Sequence, residues 1–428
     1  MAKNPSADAL LRYLNESPSP YHAVDAAILR LSGSVTPVLK EADPWTLLPG
    51  SSSFVVRGNS SLIAFRIPKS FSPSRPVPFH IVAAHTDSPG LRLKPRPAES
   101  THQYRQWGAE VYGGALFNSW LDRDLGIAGR VTRIGTGSQE SKQIRLEEHP
   151  LRIPQLAIHL DRKVNEDGLI LNPQKHLIPV LGQTGQGGVS LESLIETTAG
   201  APFGELSFDL CLYDKTPACY GGTGDEFIYS GRLDNLAMCH AALTAFLEAD
   251  SVNAIQVIAL FDHEEVGSVS AQGAESNFLA ATLERIALAL GLSRETWLGL
   301  LPQSFLISAD MAHGIHPNYP DKHEPGHFPL LNRGVVLKSN AGLKYASDGL
   351  SAARFLGYGQ RAGVNLQRFL SRSDLGCGTT VGPGLSAQLG IPTLDAGTPM
   401  LSMHSAREMC GADDHGEMIA VLKEFLKG

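Results

Sequence analysis

The chain has 428 residues, of which 43% are hydrophobic and 18% charged, with a formal net charge of −7 and a pI near 6.1. This length is typical of two or three domains with a large core. The negative charge, without any basic cluster, excludes nucleic acid and anionic membrane as expected partners. No run approaches 18 consecutive apolar residues, so no membrane-spanning segment is expected.

The cysteines and the N-terminus predict a cytoplasmic protein. The cysteines are odd in number, without CxxC spacing, which argues against a disulfide framework and for a reducing compartment. The first residues, MAKNPSADALLRYLNESPSPYHAV, lack the apolar core of a signal peptide.

The first segment combines two short helices with buried strands. Apolar periodicity predicts helices over Ser6–Asn15 and near Val24–Ser32, and the alternation in SSFVVRG and SLIAFRI predicts strands. A buried strand, Phe79–Ala84, follows and ends in HTDSPG. Residues i and i+2 of a strand point to the same side, so Asp87 is placed to orient His85 as a metal ligand. The alternative is that DSPG is only a hydrogen-bonded turn.

The middle of the chain has a different pattern of apolar and turn residues. Between Leu91 and Glu226 the apolar runs are short, alternating and rich in turns, with helical periodicity mainly at Leu191–Thr197. This pattern predicts a β-rich domain over 92–226, inserted into an α/β domain formed by 1–91 and 227–428. Within the insert, His159 lies between apolar residues in LAIHLDR, where a core or interface histidine is the ordinary interpretation.

After the insert, the alternation of predicted helices and strands resumes, and acidic residues lie at their ends. In SGRLDNL, Asp234 lies at the entrance of a predicted helix, where an N-cap is the alternative to a functional role. Ile255–Phe261 predicts a strand buried on both faces, and DHEEVGS follows it directly. Of the adjacent carboxylates Glu264 and Glu265, one can ligate a metal while the other moves a proton. The alternative is a solvated acidic loop.

The last third of the chain repeats this design. FLISAD is a strand that ends in Asp310, with His313 close behind; VVLK carries Lys338, and the loop MLSMHSARE carries His404. Open α/β sheets bind ligands at the carboxyl ends of their strands. Hard and borderline ligands in this mixture suit a pair of divalent cations with one bridging carboxylate. The candidate residues at strand ends and helix entrances are His85, Asp234, Glu264, Glu265, Asp310 and His404.

These motifs together resemble one known family nearly end to end. AAHTDSPGLRLK, WLDRDL, RIPQLAIHLDR, SGRLDNL, DHEEVGS, SADMAHGIHPNY, DKHEPGH, CGTTVGP and MHSARE occur in this order, as in a bacterial member of the aspartyl aminopeptidase family of zinc metallo-aminopeptidases. The resemblance implies a three-layer α/β/α catalytic domain with a mixed, mostly parallel sheet, interrupted by an inserted β-rich dimerisation domain.

The resemblance also implies a site and a mechanism. Two Zn²⁺ ions per subunit would be bridged by Asp234, with one histidine on each ion; Mn²⁺ or Co²⁺ are possible substitutes in carboxylate-rich positions. Glu264 would be the general base that moves a proton from the attacking water to the leaving amine, and Asp87 would orient His85. The implied ligands are His85, Asp234, Glu265, Asp310 and His404.

Assembly and substrate preference are implied by the same resemblance. Dimers would assemble into a tetrahedral dodecamer whose chamber admits peptides, with His159 reaching the active site of a neighbouring subunit to contact substrate, or alternatively metal. His313 would lie near the substrate carbonyl, and Lys338 would face the side chain of an N-terminal Asp or Glu. Gly342, where eukaryotic relatives tend to carry a further lysine, leaves a broader or neutral preference as the alternative.

Two other classes of function compete with this interpretation. One is another two-metal hydrolase on the same scaffold, such as a deacylase or carboxypeptidase, which the insert and Lys338 disfavour. The other is a non-catalytic, shell-forming binding particle. Retention of Glu264 beside a complete set of ligands disfavours that class, because a non-catalytic shell has no need of the base.

Overall fold

The computed structural model describes residues 4–96, 102–134, 140–185, 189–250 and 252–428. Within these ranges no helix combines the length and apolarity that crossing a membrane would require. Short 3₁₀ helices occur at Phe117–Trp120, Phe203–Glu205, Glu264–Val266, Leu301–Gln303 and Pro320–Lys322. The α-helices are α1 (Pro5–Glu16), α2 (Pro20–Leu31), α3 (Val164–Asp167), α4 (Pro173–His176), α5 (Leu191–Ala199), α6 (Leu233–Glu248), α7 (Phe278–Ala289), α8 (Arg294–Leu300), α9 (Gly349–Ala362), α10 (Val381–Leu389) and α11 (Asp414–Lys427).

The strands are short, as the spacing of turn residues predicts. They are β1 (Val38–Leu39), β2 (Ser52–Arg57), β3 (Ser61–Arg66), β4 (Phe79–His85), β5 (Gly90–Leu93), β6 (Tyr104–Gln106), β7 (Ala109–Tyr112), β8 (Leu125–Arg133), β9 (Ser141–Leu151), β10 (Val180–Gln183), β11 (Leu206–Asp214), β12 (Cys219–Gly221), β13 (Phe227–Ser230), β14 (Ile255–Phe261), β15 (Phe305–Ala309), β16 (Ala312–His313), β17 (Val335–Lys338), β18 (Leu366–Phe369), β19 (Thr393–Gly397), β20 (Pro399–Leu401) and β21 (Glu408–Gly411).

A mixed nine-stranded sheet is the centre of the fold. Its order is β1-β2-β3-β14-β4-β15-β19-β17-β18. The pairs β14–β4, β4–β15 and β15–β19 at its middle are parallel, as are β1–β2 and β17–β18, whereas β2–β3, β3–β14 and β17–β19 are antiparallel. The prediction of a mixed, mostly parallel sheet is therefore confirmed.

Helices cover both faces of this sheet, so the predicted three-layer arrangement is confirmed. Alternate residues of a strand point to opposite faces. On β14, Ile258 and Leu260 pack with α1, α2, α6, α9 and α11, while Val257 and Ala259 pack with α7, α8 and α10. All residues of Ile255–Phe261 are buried, as a run that is apolar except for Gln256 predicts.

The insert has a sheet and a core of its own. The order β7-β5-β11-β8-β9 forms a separate five-stranded sheet around a distinct cluster that includes Trp107, Ile127 and Leu210. Its strand β5 already begins at Gly90, and Ala406 from the end of the chain packs into the same cluster. The division at 91/92 and 226/227 thus stays a prediction, since the insert shares contacts with the rest of the chain.

Two helices begin earlier than apolar periodicity predicts. Helix α2 begins at Pro20 instead of Val24, because Ser19 accepts a hydrogen bond from His22 N at the N-cap and proline is favourable in the first turn. Apolar periodicity at the end of the chain predicts a helix over Glu417–Leu426, whereas helix α11 begins at Asp414. The Asp414 carboxylate accepts hydrogen bonds from backbone amides of the preceding loops, which holds this extra turn in place.

A buried histidine pair between α6 and α11 predicts acid sensitivity. His240 Nδ1 and His415 Nε2 are 2.8 Å apart, and both residues are 2% exposed. Burial lowers the pKa of His415 to about 3, and burial, with the charges of His415, Arg30 and Arg12, lowers the pKa of His240 well below its usual value. The unfolded chain, in which histidine has a pKa near 6.5, therefore binds more protons below that pH.

We expect the two neutral histidines to contribute fully to the free energy of unfolding above about pH 6.5. As the pH falls towards 3, the free energy of unfolding should decrease by up to about 1.4 kcal/mol per pH unit for each histidine. Urea unfolding measured from pH 7.5 to 4.5 tests this. The His415→Gln variant should show a shallower pH dependence than the unmodified chain. Replacing the exposed His149 in the same way should leave the slope unchanged; equal slopes for all three proteins would contradict the assignment.

Candidate metal centre

The ends of the central strands bring most of the predicted residues together. His85 ends β4 directly opposite Phe261, the end of the parallel strand β14, and Thr86 N donates to Phe261 O at 2.7 Å. Beyond Phe261 the chain enters the 3₁₀ turn Glu264–Val266, and Asp310 follows β15 on the other side of β4. This is the edge at which open α/β sheets bind ligands.

Asp234 lies at the centre of the cluster. Its Oδ1 is 3.5 Å from His85 Nε2, and its Oδ2 is 3.6 Å from His404 Nε2. Asp234 has φ −80° and ψ 104°, which is not helical, and the residue at the N-cap of α6 is Arg232. The N-cap alternative is therefore wrong: the side chain points to two histidines instead of the helix amides.

The surrounding donors form two groups that share Asp234. One oxygen or nitrogen atom from each of His85, Asp234 and Asp310 lies within 4.8 Å of the others, and so do atoms from Asp234, Glu265 and His404. A third group joins His85 to Glu264 and Glu265. The side chains of Glu264 and Glu265 are only 11% and 6% exposed, so the alternative of a solvated acidic loop is wrong.

Asp87 is a buried acceptor beneath His85. His85 Nδ1 lies 3.1 Å from the Asp87 backbone oxygen and 3.4 Å from its Oδ1. The Asp87 carboxylate accepts hydrogen bonds from Glu264 N at 3.2 Å, Glu265 N at 3.1 Å and the Tyr112 hydroxyl at 2.6 Å. These contacts orient the His85 ring so that Nε2 faces Asp234. The alternative that DSPG is only a hydrogen-bonded turn does not account for them.

The loop that carries His404 is held by a second buried carboxylate. Glu408 accepts hydrogen bonds from His404 N at 2.8 Å and from Asp234 N at 3.2 Å, which ties the two residues to one side chain. On the other side of the ring, His404 Nδ1 lies 3.1 Å from Gly114 O. The Nε2 atom is thereby directed towards Asp234 and Glu265.

The electrostatics of the cluster show an excess of negative charge. Burial, reinforced by neighbouring carboxylates such as Asp310 and opposed by His85, raises the pKa of Glu264 to about 8. Burial and the Asp234 charge raise the pKa of Glu265 well above its usual value. Burial opposes ionisation of Asp234, but the nearby His404 and His85 rings outweigh it and lower the pKa of Asp234.

This donor set fits divalent cations. Asp234 Oδ1 is buried, yet among the described residues it has no hydrogen-bond partner, and such an atom is costly unless something else satisfies it. Carboxylate oxygens and imidazole nitrogens are the ligands that zinc takes in proteins. A positive charge between His85, Asp234 and His404 would also relieve the repulsion among the carboxylates.

His313 and Lys338 flank the cluster. His313, on β16, is exposed, and its ring lies 5.6 Å from that of Phe369. Lys338, at the end of β17, is only 2% exposed; its Nζ donates to Met311 O at 3.0 Å and lies 3.6 Å from Asp310 Oδ1. The alternative of an exposed strand lysine is therefore wrong, and the Lys338 charge is close to a candidate ligand.

His159 is not brought to this cluster within the chain. It lies in an exposed turn of the insert between the exposed side chains of Ile158 and Leu160. The interpretation as a core histidine is wrong for this position, because the ring is at the surface of the chain, whereas the interpretation as an interface histidine stays a prediction.

The sequence did not single out Tyr112, Gly114 or Glu408. Glu408 belongs to MHSARE, and a carboxylate four residues after a candidate histidine ligand is a signal that could have drawn attention to it. Tyr112 and Gly114 lie in the alternating texture of the insert, where nothing in one sequence distinguishes them.

The chain is similar to known proteins over nearly its whole length. The Peptidase M18 family model, described as aminopeptidase I zinc metalloprotease, matches residues 13–426. The probable M18 family aminopeptidase 2 of Mycobacterium leprae is 44% identical over 425 residues, which cover 98% of each chain.

Solved structures are similar over nearly the whole chain. A chain from the cryo-EM structure of the Ape4 and Nbr1 complex superposes with a TM-score of 0.92 at 38% identity, covering 99% of this chain and 85% of that one. The S. cerevisiae mApe1 dodecamer superposes with a TM-score of 0.84 at 28% identity, covering 98% of this chain and 96% of that one.

Proposed function

Because the chain belongs to the M18 family of zinc metallo-aminopeptidases, and is therefore a peptide hydrolase, we propose that it removes N-terminal Asp and Glu residues from peptides at a two-zinc site. The observation that carries the two-zinc proposal is the orientation of Asp234, whose two oxygens face the Nε2 atoms of His85 and His404 separately. A carboxylate that faces two histidines suits a bridge between two ions.

The proposed ligands divide into two sets around this bridge. His85 and Asp310 would complete one set and His404 and Glu265 the other, as the two groups that share Asp234 suggest. Zinc bound there would lower the pKa of a water molecule and polarise the carbonyl of the scissile bond. Mn²⁺ or Co²⁺ could replace zinc in a set this rich in carboxylates.

Glu264 is the proposed general base. Its Oε2 lies 3.9 Å from His85 Nε2, at the edge of the cluster, and its side chain retains some exposure. A carboxylate at this position can take a proton from the attacking water and return it to the leaving amine. The backbone amide of Glu264 donates to Asp87, so the same carboxylate that orients His85 also positions the base.

The proposed preference for acidic residues depends on Lys338. Its buried ammonium lies beside the cluster, 5.1 Å from the Tyr345 ring centroid. An ammonium has three N–H donors, and the described contacts use one for Met311 O. The contact with Asp310 favours the second candidate, a broad or neutral preference, because that carboxylate already offsets the lysine charge.

A panel of chromogenic substrates carrying Asp, Glu, Leu, Ala or Lys, each with and without a chelator, tests the proposal. We expect chelator-sensitive cleavage led by Asp and Glu. Cleavage led by Leu or Ala would overturn the acidic preference alone. No cleavage of any substrate in the presence of zinc would contradict the two-zinc peptidase and favour the non-catalytic particle.

The Lys338→Met variant sharpens this test. We expect kcat/KM for the Asp substrate to fall by about 10- to 100-fold relative to the Leu substrate, which corresponds to one hydrogen bond between charged groups. The ratio is the informative quantity, because an indirect effect through Asp310 would slow all substrates alike. Lys344→Met, at an exposed lysine of the following loop, is the matched control and should keep the ratio. An unchanged ratio in Lys338→Met would exclude Lys338 as the specificity residue.

We further propose that dimers of the chain assemble into a tetrahedral dodecamer in the cytoplasm. A similar structure, that of S. cerevisiae mApe1, is described as a dodecamer. The exposed apolar side chains of Leu156, Ile158 and Leu160 around His159 support a contact with another copy, through which His159 would reach substrate in the neighbouring site. The cysteines, all within the described ranges, are free thiols, which suits a reducing compartment.

A further inference from the structure

One segment of the insert contacts both Asp87, which orients His85, and the loop that carries His404. We call Tyr112–Ser119 the insert clamp; it runs from the end of β7 into the 3₁₀ turn Phe117–Trp120. At its first residue, the Tyr112 hydroxyl donates to Asp87 Oδ2 at 2.6 Å. Since Asp87 in turn faces His85 Nδ1, the insert supports the orientation of His85 through one side chain.

The remainder of the insert clamp contacts the loop that carries His404. Gly114 O lies 3.1 Å from His404 Nδ1, and Leu116 N donates to His404 O at 3.0 Å. Two residues further on, Ala406 N donates to Ser119 Oγ at 2.9 Å. The ring, the backbone and the continuation of this loop are therefore all hydrogen-bonded to the insert.

The His404 loop needs such support because its backbone is unfavourable. His404 has φ +70° and Ser402 has φ +57°, both in the left-handed region that residues with a side chain rarely adopt. Conformations of this kind persist only where the surroundings hold them. The insert clamp supplies contacts from one side and Glu408 from the other.

The backbone of the insert clamp packs directly against Glu265 at Gly113. A Cβ atom built on Gly113, whose φ is +67°, would lie 3.0 Å from Glu265 Cβ and 3.2 Å from Glu265 O. Glycine is required here both by the positive φ and by the contact. The insert clamp thus lies directly against a third proposed ligand.

We propose that the insert clamp is a positioning segment that orients His85, through Asp87, and His404, so that docking of the insert onto the catalytic domain sets the geometry of metal binding. This inference rests on the proposed two-zinc function. It assigns to the insert a role in the chemistry of its own subunit, in addition to any role in assembly. None of its residues needs to touch metal or substrate.

The first test compares two tyrosines of the insert that both donate to a carboxylate. Tyr112 donates to Asp87, whereas Tyr213 donates to Glu147, which is neither a proposed metal ligand nor a hydrogen-bond partner of one. We expect Tyr112→Phe to weaken zinc binding, measured by competition with a chelator, by about 10- to 100-fold, as for other residues that orient metal ligands. Tyr213→Phe should change it by less than about twofold.

The second test uses two glycines with positive φ. Gly113→Ala removes no hydrogen-bonding group but would push on Glu265, so we expect weaker zinc binding and an altered absorption spectrum of the Co²⁺-substituted protein. Gly200, at φ +77°, has no atom within 4 Å of an added Cβ, and Gly200→Ala should leave the spectrum and the zinc affinity unchanged. Thermal unfolding of all four variants separates an effect on stability from an effect on the metal.

The possible outcomes separate failure of the proposed function from failure of the positioning role alone. If the unmodified protein binds no zinc, the proposed function fails and the inference fails with it. If the unmodified protein binds zinc and hydrolyses peptides, but Tyr112→Phe and Gly113→Ala bind zinc equally well with an unchanged Co²⁺ spectrum, only the positioning role is wrong. Weaker binding in both variants, measured at a temperature where thermal unfolding shows every variant to be folded and with the two controls unaffected, supports it.

Discussion

We expect the Glu264→Gln protein to keep its fold and its metal while kcat falls by about 10²- to 10⁴-fold, the usual contribution of a general acid–base residue. Glutamine has the same shape as glutamate, and the Glu264 backbone amide can still donate to Asp87. The amide side chain, however, cannot accept a proton from water. The loss should therefore appear in kcat and kcat/KM together, with KM nearly unchanged.

The measurement is a set of initial rates on the Asp and Leu substrates, together with the zinc content of the purified protein. Glu248→Gln is the control, because Glu248 forms a surface ion pair with Lys423. Retention of most of the activity by Glu264→Gln would show that the base is another residue. Loss of zinc as well as activity would instead make Glu264 a ligand, consistent with its grouping with His85 and Glu265.

The second large effect is expected at Asp234. Asparagine at this position keeps the size of the side chain but removes the negative charge shared between His85 Nε2 and His404 Nε2. We expect zinc binding at both proposed positions, and with it the activity, to fall by more than about 100-fold, since loss of an outer partner alone costs about 10- to 100-fold. The backbone should stay in place, because Glu408 and Ser88 bind the Asp234 amide and carbonyl.

Elemental analysis after dialysis against a weak chelator, alongside rates at added zinc, measures this effect. Asp214→Asn is the matched control: Asp214 is buried to a similar degree, but its carboxylate binds Arg123 and Thr216 in the insert. If Asp234→Asn kept two zinc ions, Asp234 would not be the bridge. If it lost one ion and kept the other, Asp234 would be a ligand of a single site.

Much of the fold was determined by local pattern. Strand β14 coincides with the predicted run Ile255–Phe261, because a strand buried on both faces consists almost wholly of apolar residues. His85 at the end of β4 and Glu264 just beyond β14 follow from the rule that parallel strands end at one edge. Predictions of this kind succeed because they depend on residues next to one another in the chain.

The exact start of a helix already depends on more than periodicity. Apolar spacing predicts the body of α11 but not its first turn, since the Asp414 carboxylate that holds this turn binds the amides of Asn332 and Gly334, some eighty residues away. The state of Lys338 is a stronger case. Its place on a strand is readable from VVLK, but its burial against Asp310 is not.

Only the tertiary structure decided which residues orient the proposed ligands. Tyr112 is 25 residues from Asp87 and Gly114 is 290 residues from His404, and no spacing rule connects either pair. The insert has a sheet and a core of its own and lies against the site. The hydrogen bonds of Tyr112 and Gly114 therefore depend on how the insert packs against the catalytic part of the chain. The sequence determined which chemical groups were available, whereas the packing of the insert onto the sheet edge determined which atoms face each other.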